Sequence, residues 1–183
     1  MGNKKDIIIC GEVFKAKRIH FSFETIFKQI GNMNELKKLQ EFPNLESVSL
    51  NGTNINDIGL QYIGQCSTIT NLNLTFTNIT DKGIAHLVNL NSIKYLRLKE
   101  TNISKKSIQH FNQMTHLISL QVHETNISGK DIADLNLAHL EELFVDSNGV
   151  EDYNTLLALS NRLPSCKIVA KGKGTFFEGV FES

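Results

Sequence analysis

The sequence predicts an α/β solenoid: a curved right-handed coil with a parallel β-sheet on its concave face, helices on its convex face and an irregular cap at each end. Three observations predict it. A 24-residue unit, clearest in ITNLNLTFTNITDKGIAHLVNLNS at 69–92, recurs on both sides of itself. A period of roughly 20–50 residues means stacked units, none of which buries its apolar side alone. Inside the unit, the apolar spacing changes from alternation to near-helical, a strand followed by a helix. Before residue 45 and after residue 163 the pattern degrades, as stack ends do.

Taken in order, residues 6–15, DIIICGEVFK, read as a strand that turns at Gly11 and starts back. Ala16, Ile19 and Phe21 then fill the unit's first, fourth and sixth positions in degenerate form, so an irregular first repeat is expected to cover the end of the stack. Phe23, Ile26, Phe27, Ile30, Met33, Leu36 and Leu39 recur at helical spacing over 23–42, with Gly31 and Asn32 as a point of division and Pro43 as the stop. The regular array follows as 45–68, 69–92, 93–116 and the one-shorter 117–139. A fifth unit starts at Leu140, loses the template after Val145 and has its helical part at Tyr153 to Leu163. Pro164-Ser165-Cys166 repeats the spacing of Pro43-Asn44-Leu45, which predicts a further strand near Cys166. Phe176, Phe177 and Phe181 in the tail suit a strand or hairpin that closes the exposed end. The expected organisation is one domain, 1–183, with an N-terminal cap at 1–44, five repeats at 45–163 and a C-terminal cap at 164–183.

Within the unit, Leu72 and Leu74 point inward while Asn71, Asn73 and Thr75 point outward. Thr80-Asp81 signals a helix start, with a capping hydroxyl and an acid in the first turn. Ile84, Leu87 and Leu90 follow, one side of a helix of about three turns. Seven positions per regular unit are apolar, with Leu137 and Ala138 sharing the last place of the fourth. At roughly 1.5–3 kcal/mol for each fully buried side chain, these dominate the stability of the fold. Thr53, Thr77, Thr101 and Thr125 stand just past each strand, where a hydroxyl can satisfy turning backbone, and are read as structural.

The strand segments LESVSL, ITNLNL, IKYLRL, LISLQV and LEELFV resemble the L-x-x-L-x-L motif of the leucine-rich repeat family. The following TNINDIGL, TNITDKGI, TNISKKSI and TNISGKDI are similar to its T-x-I-T-D-x-G-L subtype, found in cysteine-containing and bacterial repeats. The cysteine of that subtype is not repeated here, and Asn follows the Thr in every regular unit. The resemblance implies a leucine-rich-repeat solenoid that serves as a protein-binding scaffold, with no catalytic residues to carry over.

The bulk properties exclude several classes. Nineteen basic residues against nineteen acidic ones leave no net charge, which disfavours nucleic acid as a partner. Cys10, Cys66 and Cys166 are too few for a disulfide framework, and the apolar run near the start is too short for a signal-peptide core. The expected setting is therefore the reduced cytoplasm, with no membrane association. Met1-Gly2 opens a myristoylation-like pattern that Asp6 breaks. His86 and His110 share a repeat position without a carboxylate or cysteine column to complete a metal site, and Gly172 and Gly174 lack the helix of a phosphate loop. No cofactor and no catalysis are expected.

The outward strand positions form columns: Ser47, Asn71, Tyr95, Ser119, Glu142; then Ser49, Asn73, Arg97, Gln121, Phe144; then Asn51, Thr75, Lys99, His123, Asp146, with Phe76, Glu100 and Glu124 beside the last. Folding alone asks only for small polar residues here. Tyr95, Arg97, Phe144 and Phe76 are interface-anchor types placed where packing does not require them. Lys94, Arg97 and Lys99 against Glu100 make the third unit positive, and Glu141, Glu142 and Asp146 make the fifth negative, a bipolar face able to orient a partner. The candidate partner-binding set is Phe76, Tyr95, Arg97, Lys99, Glu100, Gln121, His123, Glu124, Glu142, Phe144 and Asp146. The expectation is a protein-binding module, monomeric or in a 1:1 complex, of the kind that neutralises a toxin or effector as an immunity or inhibitor protein. The alternative is an adaptor linking two proteins.

Overall fold

The computed structural model describes residues 6–25 and 27–183. The N-terminal myristoylation-like pattern and the helical placement of Ile26 lie outside the described residues. A short antiparallel hairpin comes first, β1 (Ile7–Ile9) against β2 (Glu12–Phe14). Its turn lies at Cys10 and Gly11, both with positive φ, so the chain reverses where the sequence places the glycine. Then β3 (His20–Ser22), β4 (Ser47–Ser49), β5 (Asn71–Asn73), β6 (Tyr95–Arg97), β7 (Ser119–Gln121), β8 (Glu142–Val145) and β9 (Lys167–Ala170) pair in parallel, each with its sequence neighbour. The tail hairpin, β10 (Gly174–Phe177) and β11 (Val180–Glu182), adds to β9 in antiparallel fashion.

The register is direct: Val48, Leu72, Leu96, Leu120, Leu143 and Ile168 lie side by side across the sheet. All seven apolar positions of each regular unit are buried, and Leu137, not the exposed Ala138, takes the last one. Tyr153, Phe176 and Phe181 form an aromatic cluster at the C-terminal end, while Phe177 faces outward.

Three expectations change. In the first repeat, Phe21 pairs with Val48, so it holds the fourth template position and not the sixth. Ile19, expected at the fourth, is 43 % exposed, and its carbonyl accepts the N–H groups of Glu46 and Ser47. The aromatic cluster decides this register, because Phe14, Phe21, Phe23 and Phe42 pack on one another with ring centroids 4.8–6.5 Å apart. Second, helix occupies only Met33–Glu41 of the 23–42 stretch, as a 3₁₀ helix capped by Asn32. Its Leu36 and Leu39 are buried, like Leu60 and Ile63 one unit on. The described residues before it are loop, held by the Glu24 N–H on Glu12 and the Ile30 N–H on Asn54. From β3 to the Asn32 cap the chain has three residues more than from β4 to the Asn56 cap, so the excess bulges from the sheet edge.

Third, the convex helices are shorter than three turns: α1 (Asp57–Ile63), α2 (Asp81–Ala85) and α3 (Ile108–Phe111). The spacing explains it. Ile84, Leu87 and Leu90 recur every third residue, the 3₁₀ period, and the N–H groups of Leu87 and Leu90 bond three residues back. Only α4 (Val150–Arg162) in the fifth unit is long.

The helix starts are tied across units by carboxylates. Asp57 accepts the N–H and hydroxyl of Thr80 at 2.9 and 2.6 Å, and Asp81 accepts those of Ser104 at 2.8 and 2.7 Å. Position 105 is Lys and cannot continue the relay, so Asp131 serves Ser128 from within its own unit. A Cβ at Gly83 would lie 2.4 Å from Asp57 Oδ1. At the same place one unit later, the Ser107 hydroxyl donates to Asp81 Oδ1 at 2.6 Å. Burial pushes the Asp81 carboxyl up, but the bonds from Ser107 and Ser104, with Lys106 nearby, outweigh it and hold the group below its ordinary value of 3.8.

Asp81→Ala removes three bonds to a charged acceptor and is expected to destabilise by about 2 kcal/mol in urea unfolding. Because the folded group titrates below its unfolded value, the wild-type advantage should be complete above pH 3.8 and shrink as pH falls through the lowered folded value.

A candidate protein-binding face and its edge

Strands β4 to β8 set the first two columns side by side as the sequence predicts: Tyr95 between Asn71 and Ser119, and Arg97 between Asn73 and Gln121. Glu142 follows Ser119 and Phe144 follows Gln121. Tyr95 is 40 % exposed, and among the described residues Arg97 is exposed without a salt-bridge partner. Together with Ser47, Ser49, Asn71 and Asn73 they line a shallow cavity of 190 Å³. At the C-terminal end, Phe144 lies beside Val169 of β9, and Glu142 beside Lys167.

The third column does not stand on strands. Lys99, His123 and Asp146 fall just past strand ends, where the chain turns out of the sheet. There the charges satisfy one another. Lys99 bridges Glu100 at 3.0 Å and Glu124 at 3.4 Å, and Lys171 also pairs with Glu124. Asp146 accepts the Glu124 N–H at 2.5 Å, and Ser119 donates to Glu142 at 2.9 Å. Lys99 and Glu100 are thus paired, whereas among the described residues Lys94, Arg97, Glu141, Glu142 and Asp146 have no salt-bridge partner. His123 packs against Phe144, with ring centroids 5.9 Å apart. Burial pushes its imidazole down, reinforced by Lys99 and Lys171 and opposed by Asp146 and Glu100; burial pushes the Asp146 carboxyl up, opposed by His123.

The row beside this column has an unusual backbone. Gly52, Phe76, Glu100 and Glu124 stand at equivalent places, all with φ between +53° and +70°. Each is the third residue of a turn closed by a threonine: Thr53 returns its N–H to the Leu50 carbonyl, and the Thr53, Thr77, Thr101 and Thr125 hydroxyls donate to the carbonyl three residues back at 2.6–2.8 Å. The threonines therefore close the turn themselves. Such a turn favours glycine at its third place. Phe and Glu there carry about 1–2 kcal/mol of backbone strain each.

Phe27, whose spacing predicts a place on a helix face, is absent from the candidate set. It lies in the bulge, also left-handed at φ +56°, with its ring over Gly52, where a Cβ would meet it at 2.8 Å. Phe27 and Phe76 are 57 % and 54 % exposed and meet edge to face at 6.0 Å. Gly52 was the available signal: it alone keeps glycine in a column where its successors have Phe and Glu.

A second cavity of 410 Å³ at the C-terminal end is lined by Val150, Tyr153, Lys173, Phe176 and Phe181. Among the described residues, no group of three or more His, Cys, Asp or Glu could hold a metal ion, and no helix is long and apolar enough to cross a membrane.

Glu100→Gly is expected to be more stable than Glu100→Ala by about 1 kcal/mol in urea unfolding, because both lose the Lys99 pair and only glycine relaxes the left-handed backbone. Equal stabilities would refute strain in this row.

The leucine-rich repeat family model matches residues 43–64 and 65–88. No curated protein matches the chain. Among solved structures, the chain is similar to an internalin (inlF) from Listeria monocytogenes, 23 % identical over 76 % of this chain and 49 % of that one, with a TM-score of 0.46. The chain thus spans about half the length of that relative. It is similar to internalin C2 of the same organism at 19 % identity, covering 82 % and 70 % of the two chains, with a TM-score of 0.49. It is also similar to the ectodomain of the receptor kinase SOBIR1 from Arabidopsis thaliana, at 16 % identity over 75 % and 73 %, with a TM-score of 0.47. Two units match the leucine-rich repeat family model and the same strand register continues beyond them through β9, so the fold is a leucine-rich-repeat solenoid.

Proposed function

We propose that the chain is a non-enzymatic binder that takes one partner protein on strands β5 to β8, and that it acts by occupying that partner, as an immunity or inhibitor protein does with a toxin or effector. Leucine-rich repeats are protein-interaction modules, so binding is the coarse function of the fold. The pair Tyr95 and Arg97 carries the finer reading. Both are exposed on a sheet whose backbone is already paired on each side, and folding uses neither. An aromatic ring beside an unpaired guanidinium is the usual composition of a binding hot spot.

Gln121 and Phe144 continue the surface, framed by Lys99 with its partners Glu100 and Glu124 and by Asp146 on the Glu124 N–H. A reduced, cytoplasmic setting and a monomeric or 1:1 state belong to the same proposal. The three cysteines are free, and burial pushes the Cys66 and Cys166 thiols up to about 11 and about 12, where they are inert. One observation favours the adaptor reading: the aromatic-lined cavity at the C-terminal end gives a second surface away from β5 to β8.

The test uses the partner recovered by affinity purification from the native host. Tyr95→Ala combined with Arg97→Ala should weaken its binding by at least ~1 kcal/mol, about fivefold, with the thermal melt unchanged. Unchanged affinity rejects the concave face. Two different proteins bound at once, with one lost on Tyr153→Ala, would establish the adaptor.

A further inference from the structure

We propose a second binding site at the sheet edge, where Phe27 and Phe76 take an extended segment of a partner protein that presents a large apolar side chain next to Lys or Arg. The two rings line a cavity of 460 Å³ that also includes Asn78, Glu100 and Asn102. Neither ring serves the core. Both are more than half exposed, both sit on left-handed backbone, and each has the other as its aromatic neighbour. Gly52 shows that this turn can be built with a relaxed residue, and it leaves room for the Phe27 ring. The molecule thus holds two aromatic side chains in an unfavourable conformation at the surface, and they are already set edge to face for a third apolar group.

The rest of the lining names the occupant. Asn78 and Asn102 project from successive turns, exposed and without side-chain hydrogen bonds among the described residues, while their backbones are already tied to Ile55 and Ile79. Two free amides one unit apart suit the alternating donors and acceptors of an extended peptide. Glu100 is the one charged side chain in the lining. Lys99 holds its Oε1 from the concave side at 3.0 Å, which leaves Oε2 for a cation from the cavity. An apolar side chain therefore enters between the rings, and a neighbouring Lys or Arg reaches Glu100.

This inference rests on the protein-binding reading above but uses a different surface, so the two can fail separately. The probe is an array of short synthetic peptides in which a central Trp, Leu or Ala is flanked by Arg or by Asp, incubated with the purified full chain. Retention of the Trp–Arg and Leu–Arg peptides is expected, weakened at least about tenfold by Phe76→Gly and by Phe27→Ala. Glu100→Gln should abolish the preference for Arg over Asp while keeping the preference for Trp over Ala. Phe76→Gly relaxes its backbone, so a melt at or above wild type ties any loss of binding to the ring itself. Tyr95→Ala with Arg97→Ala should leave peptide retention unchanged; a loss there would assign the peptides to the concave face and overturn the edge site. No preference for apolar-plus-Arg peptides, or full retention by Phe76→Gly, also overturns it.

Discussion

Each strand of the parallel sheet is only three or four residues long, so every unit must leave the sheet within a few residues of entering it and must do so in the same way as its neighbours. That constraint is met by one left-handed residue followed by a threonine whose hydroxyl returns to the strand's last inward carbonyl. Once the turn is set, the ascending segments also come into register. Asn78, Asn102 and Asn126 donate to Ile55, Ile79 and Ile103 of the preceding units, and the helix starts fall where an aspartate of the previous unit can reach them. A parallel ladder with evenly spaced strands tolerates no variation in this geometry, since a one-residue slip would turn the apolar set outward.

The same constraint separates scaffold from site. Inward positions belong to packing, and the threonines and aspartates belong to the turn and the helix start. Freedom remains on the outward strand positions and in the left-handed row. Those are the places where the sequence changes from unit to unit. Asn71 and Asn73 become Tyr95 and Arg97; Gly52 becomes Phe76, Glu100 and Glu124. Variation against a rigid background carries more information about binding here than any residue that fits the template.

Much of the fold was legible because its signals are local and repeated. The period, the strand positions, the hairpin at Gly11 and the strand near Cys166 follow from turn chemistry and alternation alone. The errors occurred where repetition stops. Ile19 and Phe21 both suit an inward position, and only the cluster of Phe14, Phe23 and Phe42 chooses between them. The helical spacing of Phe23 to Ile30 was real as a pattern, but a three-residue excess between strand and cap made it a bulge. The three-residue spacing of Ile84, Leu87 and Leu90 suits a helix of about three turns, but the chain forms a shorter one followed by 3₁₀ turns.

By itself, the sequence determined the architecture and which side chains face outward, because both follow from a period counted along the chain and from the two-residue alternation of a strand. It could not decide which of those outward groups remain available. Lys99, Glu124 and Asp146 look like a charged face in one dimension, but Lys99 pairs with Glu124 25 residues on and Asp146 accepts the Glu124 N–H from 22 residues away. Phe27 looks like a helix residue and lies over Gly52 against Phe76, 49 positions away in sequence. Pairing and stacking of that kind are set by the distance between neighbouring turns, which exists only after the units have stacked.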